Sequence, residues 1–302
     1  MQELTISALD GYPLGVSRFP AAGSGEGVVI IAGATGVAQR FYRRFAETAA
    51  KLGIETWTFD YRGVGRSAPA SLENFRMSYL DWAELDLSAV IEHVAGVHRA
   101  PVLMVGHSYG GHAIGLLPRT DQLKKVVTFG TGAGWDGWMP PLERLRVKLL
   151  WNVIGPLLVR STGYLAWKRL GLGEDLPRDL FLQWRRWCQW PRYFFDDPEL
   201  PDLAERFAQV TTPIRAVNAT DDAWAMPASR DAFMAAYKNA PVELETVEPR
   251  DWKLKKIGHI GYFRPEAAAL WELNLRWLTD GRQNVSAAAI PVTVNTNAAQ
   301  NT

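Results

Sequence analysis

Two hydrophobic patterns alternate along the first half of the chain. Continuous apolar runs at residues 27–32 and 102–105 are typical of strands buried on both faces of a sheet. Apolar positions spaced three and four residues apart indicate amphipathic helices. The pattern predicts strands over 4–9, 14–19, 27–32, 54–59, 102–105 and 125–129, and helices over 41–52, 79–94 and 108–117. This repetition predicts a mostly parallel sheet with helices on both faces.

The strand pattern stops between residues 135 and 209, where only helical stretches divided by glycine and proline occur. It resumes with strands over 213–218 and 242–247 and helices over 229–237 and 266–278. We therefore predict an α/β core formed by residues 1–134 and 210–280, with a helical insertion at 135–209. Residues 281–302 are rich in Ala, Asn, Thr and Gln without periodicity, which predicts a disordered tail.

Composition and charge exclude several classes of protein. Hydrophobic residues make up 47% of the chain and charged residues 22%, as in an ordinary globular protein. The net charge of +1 makes nucleic acid an unsuitable partner. One cysteine, Cys188, excludes an internal disulfide, and the histidines lack metal-ligand spacing. Without a signal-peptide pattern or an uninterrupted apolar run of about 20 residues, we expect a cytoplasmic protein that needs no cofactor.

The sharpest chemical signal is a glycine–serine–glycine spacing between a buried strand and a helix. Gly106, Ser108 and Gly110 follow the strand predicted over 102–105. Glycines two residues on either side of a serine allow the close approach of strand and helix that a sharp turn requires. Such a turn exposes the hydroxyl at a helix N-terminus, where backbone N–H groups stabilise negative charge. We interpret Ser108 as a nucleophile.

A serine hydroxyl needs a base, and histidine titrates near neutral pH. His259 lies after the last predicted strand, and Gly258 and Gly261 give its loop the freedom to reach the carboxyl edge of the sheet. We therefore select His259 as the base. The remaining histidines lie on a predicted surface or too near Ser108 along the chain: His93, His98, His107 and His112.

An acid must orient the imidazole and stabilise its protonated form. Asp221 and Asp222 both follow the strand predicted over 213–218, at the same edge of the sheet. On residue order alone either carboxylate fits, since both give the order serine, aspartate, histidine.

Several stretches together resemble the α/β-hydrolase superfamily over residues 1 to about 280. They are the loop at 33–36, the segment 60–67, the turn at Ser108, Asp222 with the proline at 227, and the Gly258–His259 pair. The chain looks most like a bacterial group of α/β-hydrolases whose substrates are mostly unassigned. The resemblance implies an α/β-hydrolase fold with an inserted helical lid, and it favours Asp222 over Asp221.

The same resemblance implies an oxyanion hole formed by two backbone N–H groups, those of Tyr109 and Ala34. The loop departs from the frequent His-Gly pair of the superfamily because Ala32 occupies the histidine position. Gly33 and Thr35 therefore remain alternative donors.

The insertion is unusually rich in tryptophan. It contains seven of the chain's 13 tryptophans, including Trp184, Trp187 and Trp190 in one short stretch. We interpret it as a lid whose aromatic face binds an apolar substrate, although a small helical subdomain also needs large side chains to fold. From residue 142 to 195 there are ten Lys or Arg residues and four acids, which suits peripheral contact with a membrane, an anionic substrate or a solvated face.

These features predict a serine hydrolase that cleaves a carboxylic ester or thioester of a small apolar acyl substrate through an acyl-enzyme. Two alternatives remain open at this stage. The same three residues would serve an acyltransferase, and a non-catalytic ligand-binding homologue would keep the fold without turnover. The sequence does not indicate the natural substrate or the oligomeric state.

Overall fold

The computed structural model describes residues 1–21 and 27–279, so the predicted tail at 281–302 lies outside the described residues. Its centre is an eight-stranded sheet with the order β1-β2-β4-β3-β5-β6-β7-β8. The strand β2 pairs antiparallel with β1 and β4, and the other neighbours pair in parallel. The strands are β1 (Gln2–Ser7), β2 (Pro13–Phe19), β3 (Val28–Ala32), β4 (Glu55–Phe59), β5 (Val102–His107), β6 (Leu123–Phe129), β7 (Ile214–Ala219) and β8 (Val242–Val247).

The α-helices connect these strands and cover both faces of the sheet. They are α1 (Arg43–Lys51), α2 (Ser88–Val97), α3 (Tyr109–His112), α4 (Pro141–Leu149), α5 (Gly155–Thr162), α6 (Arg178–Trp187), α7 (Leu203–Ala208), α8 (Pro227–Met234), α9 (Gly258–Gly261) and α10 (Ala268–Leu278). A π-helical turn, Leu150–Ile154, joins α4 to α5, so residues 141–162 form one helical run. The predicted mostly parallel sheet flanked by helices is confirmed.

The buried strands explain the continuous apolar runs of the sequence. In β3, Val28 and Ile30 belong to the hydrophobic cluster on one face of the sheet, and Val29 and Ile31 belong to the cluster on the other. Successive side chains of a strand point to opposite faces, so a strand covered on both sides needs apolar residues at every position. Because β5, β6 and β7 are parallel neighbours, the carboxyl ends of β5 and β7 lie at the same edge of the sheet.

The segment between β6 and β7 contains the predicted insertion. Residues 135–209 form α4 to α7 with connecting turns, and their β contacts are limited, within the described chain, to one isolated bridge between Leu165 and Leu176. The segment packs on the core through Trp187, whose ring stacks on Tyr79 at 5.3 Å between centroids. Among the described residues, no helix combines the length and apolarity needed to cross a membrane.

Candidate active site

Ser108 occupies a strained turn between β5 and α3. Its φ of 51° and ψ of −107° place a non-glycine residue at positive φ, and its side chain is partly exposed. A Cβ on Gly110 would lie 2.0 Å from the Ala32 carbonyl oxygen, and one on Gly106 would lie 2.7 Å from the Gly110 backbone. Glycine is therefore required at both positions, as the sequence spacing predicts. Backbone strain of this kind costs of order 1–3 kcal/mol and clusters at functional sites.

His259 reaches Ser108 from the short helix α9. Its Nε2 lies 3.0 Å from the Ser108 Oγ, and its side chain is 18% exposed. The segment before it is anchored by Asp221, whose carboxylate accepts hydrogen bonds from the backbone N–H groups of Ile257 and Gly258, both at 2.9 Å. Asp221 thus positions the loop that carries His259 and does not contact the imidazole.

Asp222 is the carboxylate that faces the imidazole. Both of its oxygens lie 3.0 Å from the His259 Nδ1, and its side chain is fully buried. Three further donors surround it: the Tyr262 hydroxyl at 2.9 Å, and the backbone N–H groups of Trp224 and Ala225, each at 3.1 Å. A carboxylate only accepts hydrogen bonds, so Nδ1 carries the proton and Nε2 is free to accept one from Ser108.

The surroundings of Asp222 keep it ionised. Burial alone raises the pKa of a carboxyl, but the charge and hydrogen bond of His259, with the Tyr262 hydroxyl and the Trp224 N–H, bring the pKa of Asp222 below its usual range. Sequence reasoning missed Tyr262 and Trp224. In the sequence, only their positions indicate a role: Tyr262 lies three residues after His259, and Trp224 lies two residues after Asp222.

The backbone donors near Ser108 differ from the sequence expectation at one position. The N–H of Tyr109, the first residue of α3, has no acceptor within the described residues. The N–H of Ala34 instead donates a buried hydrogen bond to the Tyr42 hydroxyl at 2.8 Å. This bond corrects the expectation that Ala34 is an oxyanion donor, because its N–H already donates to the Tyr42 hydroxyl. The next residue, Thr35, has a backbone N–H with no acceptor in the described part of the chain.

Tyr42 also belongs to a buried hydrogen-bond chain that the sequence did not reveal. The Nε2–H of His107 donates to the His259 carbonyl at 2.8 Å, and the Tyr42 hydroxyl donates to His107 Nδ1 at 2.9 Å. Burial lowers the pKa of His107 to about 3, and the nearby His259 contributes in the same direction. His107 is thus neutral and supports the backbone of His259, rather than exchanging protons with Ser108.

The three predicted tryptophans occupy different environments. Trp187 is fully buried and donates its indole N–H to Asp197 at 2.8 Å, so it packs within the insertion and does not line an open site. Trp190 is partly buried against the same core. Trp184 packs 6.1 Å from Trp224, between ring centroids.

Trp224 connects this aromatic cluster to the imidazole. Its ring lies 6.2 Å from that of His259, and its indole N–H donates to Glu143 of the insertion at 3.0 Å. Trp151 packs against both Trp184 and Trp224, at 4.7 and 6.2 Å between centroids. An apolar aromatic wall therefore begins beside the Ser108–His259 pair.

Taken together, the geometry provides a hydroxyl on a strained turn, an imidazole in position to take its proton, a buried carboxylate behind the imidazole and, on the residue that follows the serine, a backbone N–H without an acceptor in the described chain. This arrangement is suited to nucleophilic attack on a carbonyl carbon and to stabilisation of the resulting oxyanion.

Comparison with known proteins identifies the group to which this architecture belongs. The family model of the alpha/beta hydrolase family matches residues 28–269. No curated protein matches the sequence. Similar solved structures include a soluble variant of monoglyceride lipase from Saccharomyces cerevisiae, with 15% identity, a TM-score of 0.67 and coverage of 94% of this chain and 96% of that chain.

Two further solved structures share the fold at similar sequence identity. An esterase from Exiguobacterium antarcticum has 17% identity and a TM-score of 0.61, with 92% of this chain and 99% of that chain covered. Est1E from Butyrivibrio proteoclasticus, solved with ferulic acid, has 17% identity and a TM-score of 0.59, with 92% and 98% covered. The family model spans most of the chain and the sheet has the same fold, so this protein belongs to the alpha/beta hydrolase family.

Proposed function

We propose that this protein hydrolyses a carboxylic ester or thioester with an apolar acyl group through a covalent acyl-enzyme. The observation that carries the proposal is the continuous hydrogen-bonded chain from the Ser108 Oγ through His259 to the buried Asp222, with each link at 3.0 Å. The monoglyceride lipase and the esterase that share the fold support the same reaction class.

The reaction follows from the positions of the donors and acceptors. His259 Nε2 takes the Ser108 proton as Oγ attacks the carbonyl carbon, and Asp222 stabilises the imidazolium that forms. The N–H of Tyr109 holds the oxyanion together with a second donor, which is Thr35 or Gly33 in place of Ala34. The imidazolium then gives its proton to the departing alkoxide or thiolate. A water molecule, deprotonated by His259, attacks the acyl-enzyme and releases the acid.

The aromatic wall supports an apolar acyl group. Trp224 lies beside His259 and packs on Trp184 and Trp151, so the acyl chain of an ester formed on the Ser108 Oγ meets indole surfaces next to the imidazole. We propose that residues 135–209 act as a lid that contributes this wall, with Trp184 as its substrate-binding residue.

Two measurements test the function. A fluorophosphonate probe should label the wild-type protein and not the Ser108→Ala variant, and a series of 4-nitrophenyl esters should show kcat/KM rising with acyl length. Each methylene that becomes buried adds at most about fourfold. Labelling that persists in Ser108→Ala would reject the nucleophile. Labelling without ester turnover, but with acyl transfer to an added alcohol, would instead identify an acyltransferase.

The lid is tested by a matched pair of tryptophans. Trp184→Ala should flatten the chain-length profile while leaving acetate hydrolysis within a few-fold of wild type. Trp187→Ala removes a fully buried side chain, so it should cost about 3–5 kcal/mol of stability and lower activity on all esters alike. If both variants affect acetate and octanoate esters equally, the tryptophans fold the insertion and do not bind the acyl chain.

A further inference from the structure

The helical run over residues 141–162 exposes a stripe of large apolar side chains. Spacings of three and four residues place these side chains on one face of the helix. In the described part of the chain, five of the twelve exposed large apolar residues belong to this run. Their exposures range from 46% to 66%: Leu142, Leu145, Leu149, Val153 and Leu157. An apolar patch concentrated in this way marks an interaction surface rather than chance exposure.

The opposite face of the same run is fully used by the fold. Val147, Leu150, Trp151 and Val159 are buried in the core, and Trp151 packs against Trp224. The outer stripe is therefore not a core face awaiting a missing part of the domain.

Positive charge surrounds the stripe. The run contains four cations, Arg144, Arg146, Lys148 and Arg160, and one acid, Glu143, which gives a local excess of three positive charges in a chain whose net charge is +1. The side chains of Arg146 and Lys148 are 67% and 57% exposed, and they form ion pairs with Glu143 and Asp136, each at 3.5 Å.

A cavity of about 470 Å³ beside the run brings one further cation and one further acid next to it, so the local excess stays at three positive charges. Arg144, Lys148 and Arg185 line it, with the carboxylate of Asp136. The cations on this side of the insertion therefore outnumber the acids beside them.

We propose that the 141–162 run docks on a lipid surface with anionic headgroups. The helix would lie in the plane of the surface with its leucines in the acyl boundary and its cations at the headgroups. A twofold contact between two copies fits less well, because each stripe would bring its excess positive charge against the same charge on its partner. If the proposed function holds, docking also brings the Trp151–Trp224 wall towards a source of apolar acyl substrates.

Sedimentation of the full chain with vesicles tests this surface without using activity. We expect vesicles of equal parts phosphatidylcholine and phosphatidylglycerol to bind the protein at least tenfold more strongly than phosphatidylcholine alone, and high salt to reduce this difference. The triple change Leu145→Gln, Leu149→Gln and Leu157→Gln should weaken binding about 100-fold, from roughly fivefold for each half-buried leucine.

The matched control changes three exposed apolar residues outside the insertion: Leu9→Gln, Val97→Gln and Leu244→Gln. It should bind vesicles within twofold of wild type. Both triple variants should keep the wild-type melting temperature. Arg146→Gln with Arg160→Gln should weaken binding to the anionic vesicles only.

Three results would overturn the proposal: no binding of the wild-type chain to anionic vesicles, equal losses in the two triple variants, or a dimer in sedimentation equilibrium that the stripe variant dissociates. The last would show that a second copy covers the stripe. Vesicle binding that survives in a protein without ester turnover would reject the proposed function and leave the docking surface standing.

Discussion

Replacing Asp222 by asparagine tests the site most directly, because the structure determines how the new amide must sit. The Oδ1 atom of Asp222 accepts hydrogen bonds from two backbone N–H groups, those of Trp224 and Ala225, which cannot reorient. The amide oxygen of Asp222→Asn must take that position, which places its NH2 group at the former Oδ2, facing the His259 Nδ1. Because this NH2 group donates towards Nδ1, it favours the imidazole tautomer that accepts at Nδ1 and carries its proton on Nε2.

A proton on Nε2 points at the Ser108 Oγ, so the imidazole no longer acts as a base. Holding the imidazole in this tautomer lowers kcat by about 10⁴ in a triad, which corresponds to about 5 kcal/mol of barrier. The two Oδ1 hydrogen bonds are kept, so the free energy of unfolding should change by less than about 3 kcal/mol. Steady-state kinetics on a 4-nitrophenyl ester, with denaturant unfolding of the same preparations, measures both quantities.

Asp221→Asn is the matched control, since the two residues are neighbours with different partners. Among the described residues, the Asp221 carboxylate accepts hydrogen bonds from the N–H groups of Ile257 and Gly258, and an amide oxygen can keep one of these bonds. We expect a loss of about 1–2 kcal/mol in stability and at most about a tenfold fall in kcat. An equal or larger fall in kcat for Asp221→Asn than for Asp222→Asn would refute the tautomer argument and the assignment of Asp222.

Three further predictions concern strain, support and pH. Ser108→Gly should be about 1 kcal/mol more stable in urea than Ser108→Ala, because glycine accepts the positive φ; equal stabilities would mean that the turn is unstrained. Tyr262→Phe leaves the buried Ala219 N–H without its acceptor, so it should cost about 1–3 kcal/mol in urea unfolding and lower kcat less than Asp222→Asn; unchanged stability contradicts this. Burial lowers the pKa of His107 from 6.5 to about 3, so the unfolded chain binds a proton at higher pH than the folded chain. The free energy of unfolding is therefore unaffected above pH 6.5 and falls as the pH drops towards 3, by about 2 kcal/mol at pH 5. If the stability of a His107→Gln variant depends on pH as steeply as that of wild type, this explanation fails.

The sheet and the serine turn could be predicted because short-range constraints determine them. A strand buried on both faces needs apolar residues at every position, and Gly106 and Gly110 are required by contacts within one strand–turn–helix unit. The Ala34 donor could not be predicted in this way. Its N–H is taken by Tyr42, whose hydroxyl is oriented by His107, and no spacing in the sequence encodes that three-residue contact.

The spacing of the tryptophans in α6 carries information that their number does not. Leu180, Trp184 and Trp187 are spaced four and three residues apart, which places them on one face of α6, and the structure buries that face. On this face Trp187 packs within the segment, whereas the ring of Trp184 also reaches Trp224 at the aromatic wall, so counting aromatic residues overestimates how many of them line a site. Trp224 lies outside residues 135–209, and its ring is 6.2 Å from that of His259. The concentration of tryptophan within 135–209 gives no indication of this contact.

Trp224 also connects the segment 135–209 to Ser108, Asp222 and His259, all of which lie outside that segment. Its backbone N–H holds Asp222, its ring lies beside His259, and its indole N–H bonds Glu143 on the helical run over 141–162. Asp222 keeps its bonds to Ala225 and Tyr262 if that indole contact breaks, so movement of the helix would change the wall of the site while leaving the proton relay assembled. The same helical run exposes the apolar stripe on its other face, so a contact made there would reach the aromatic wall through the Glu143–Trp224 hydrogen bond and through the ring of Trp151, which packs on Trp224.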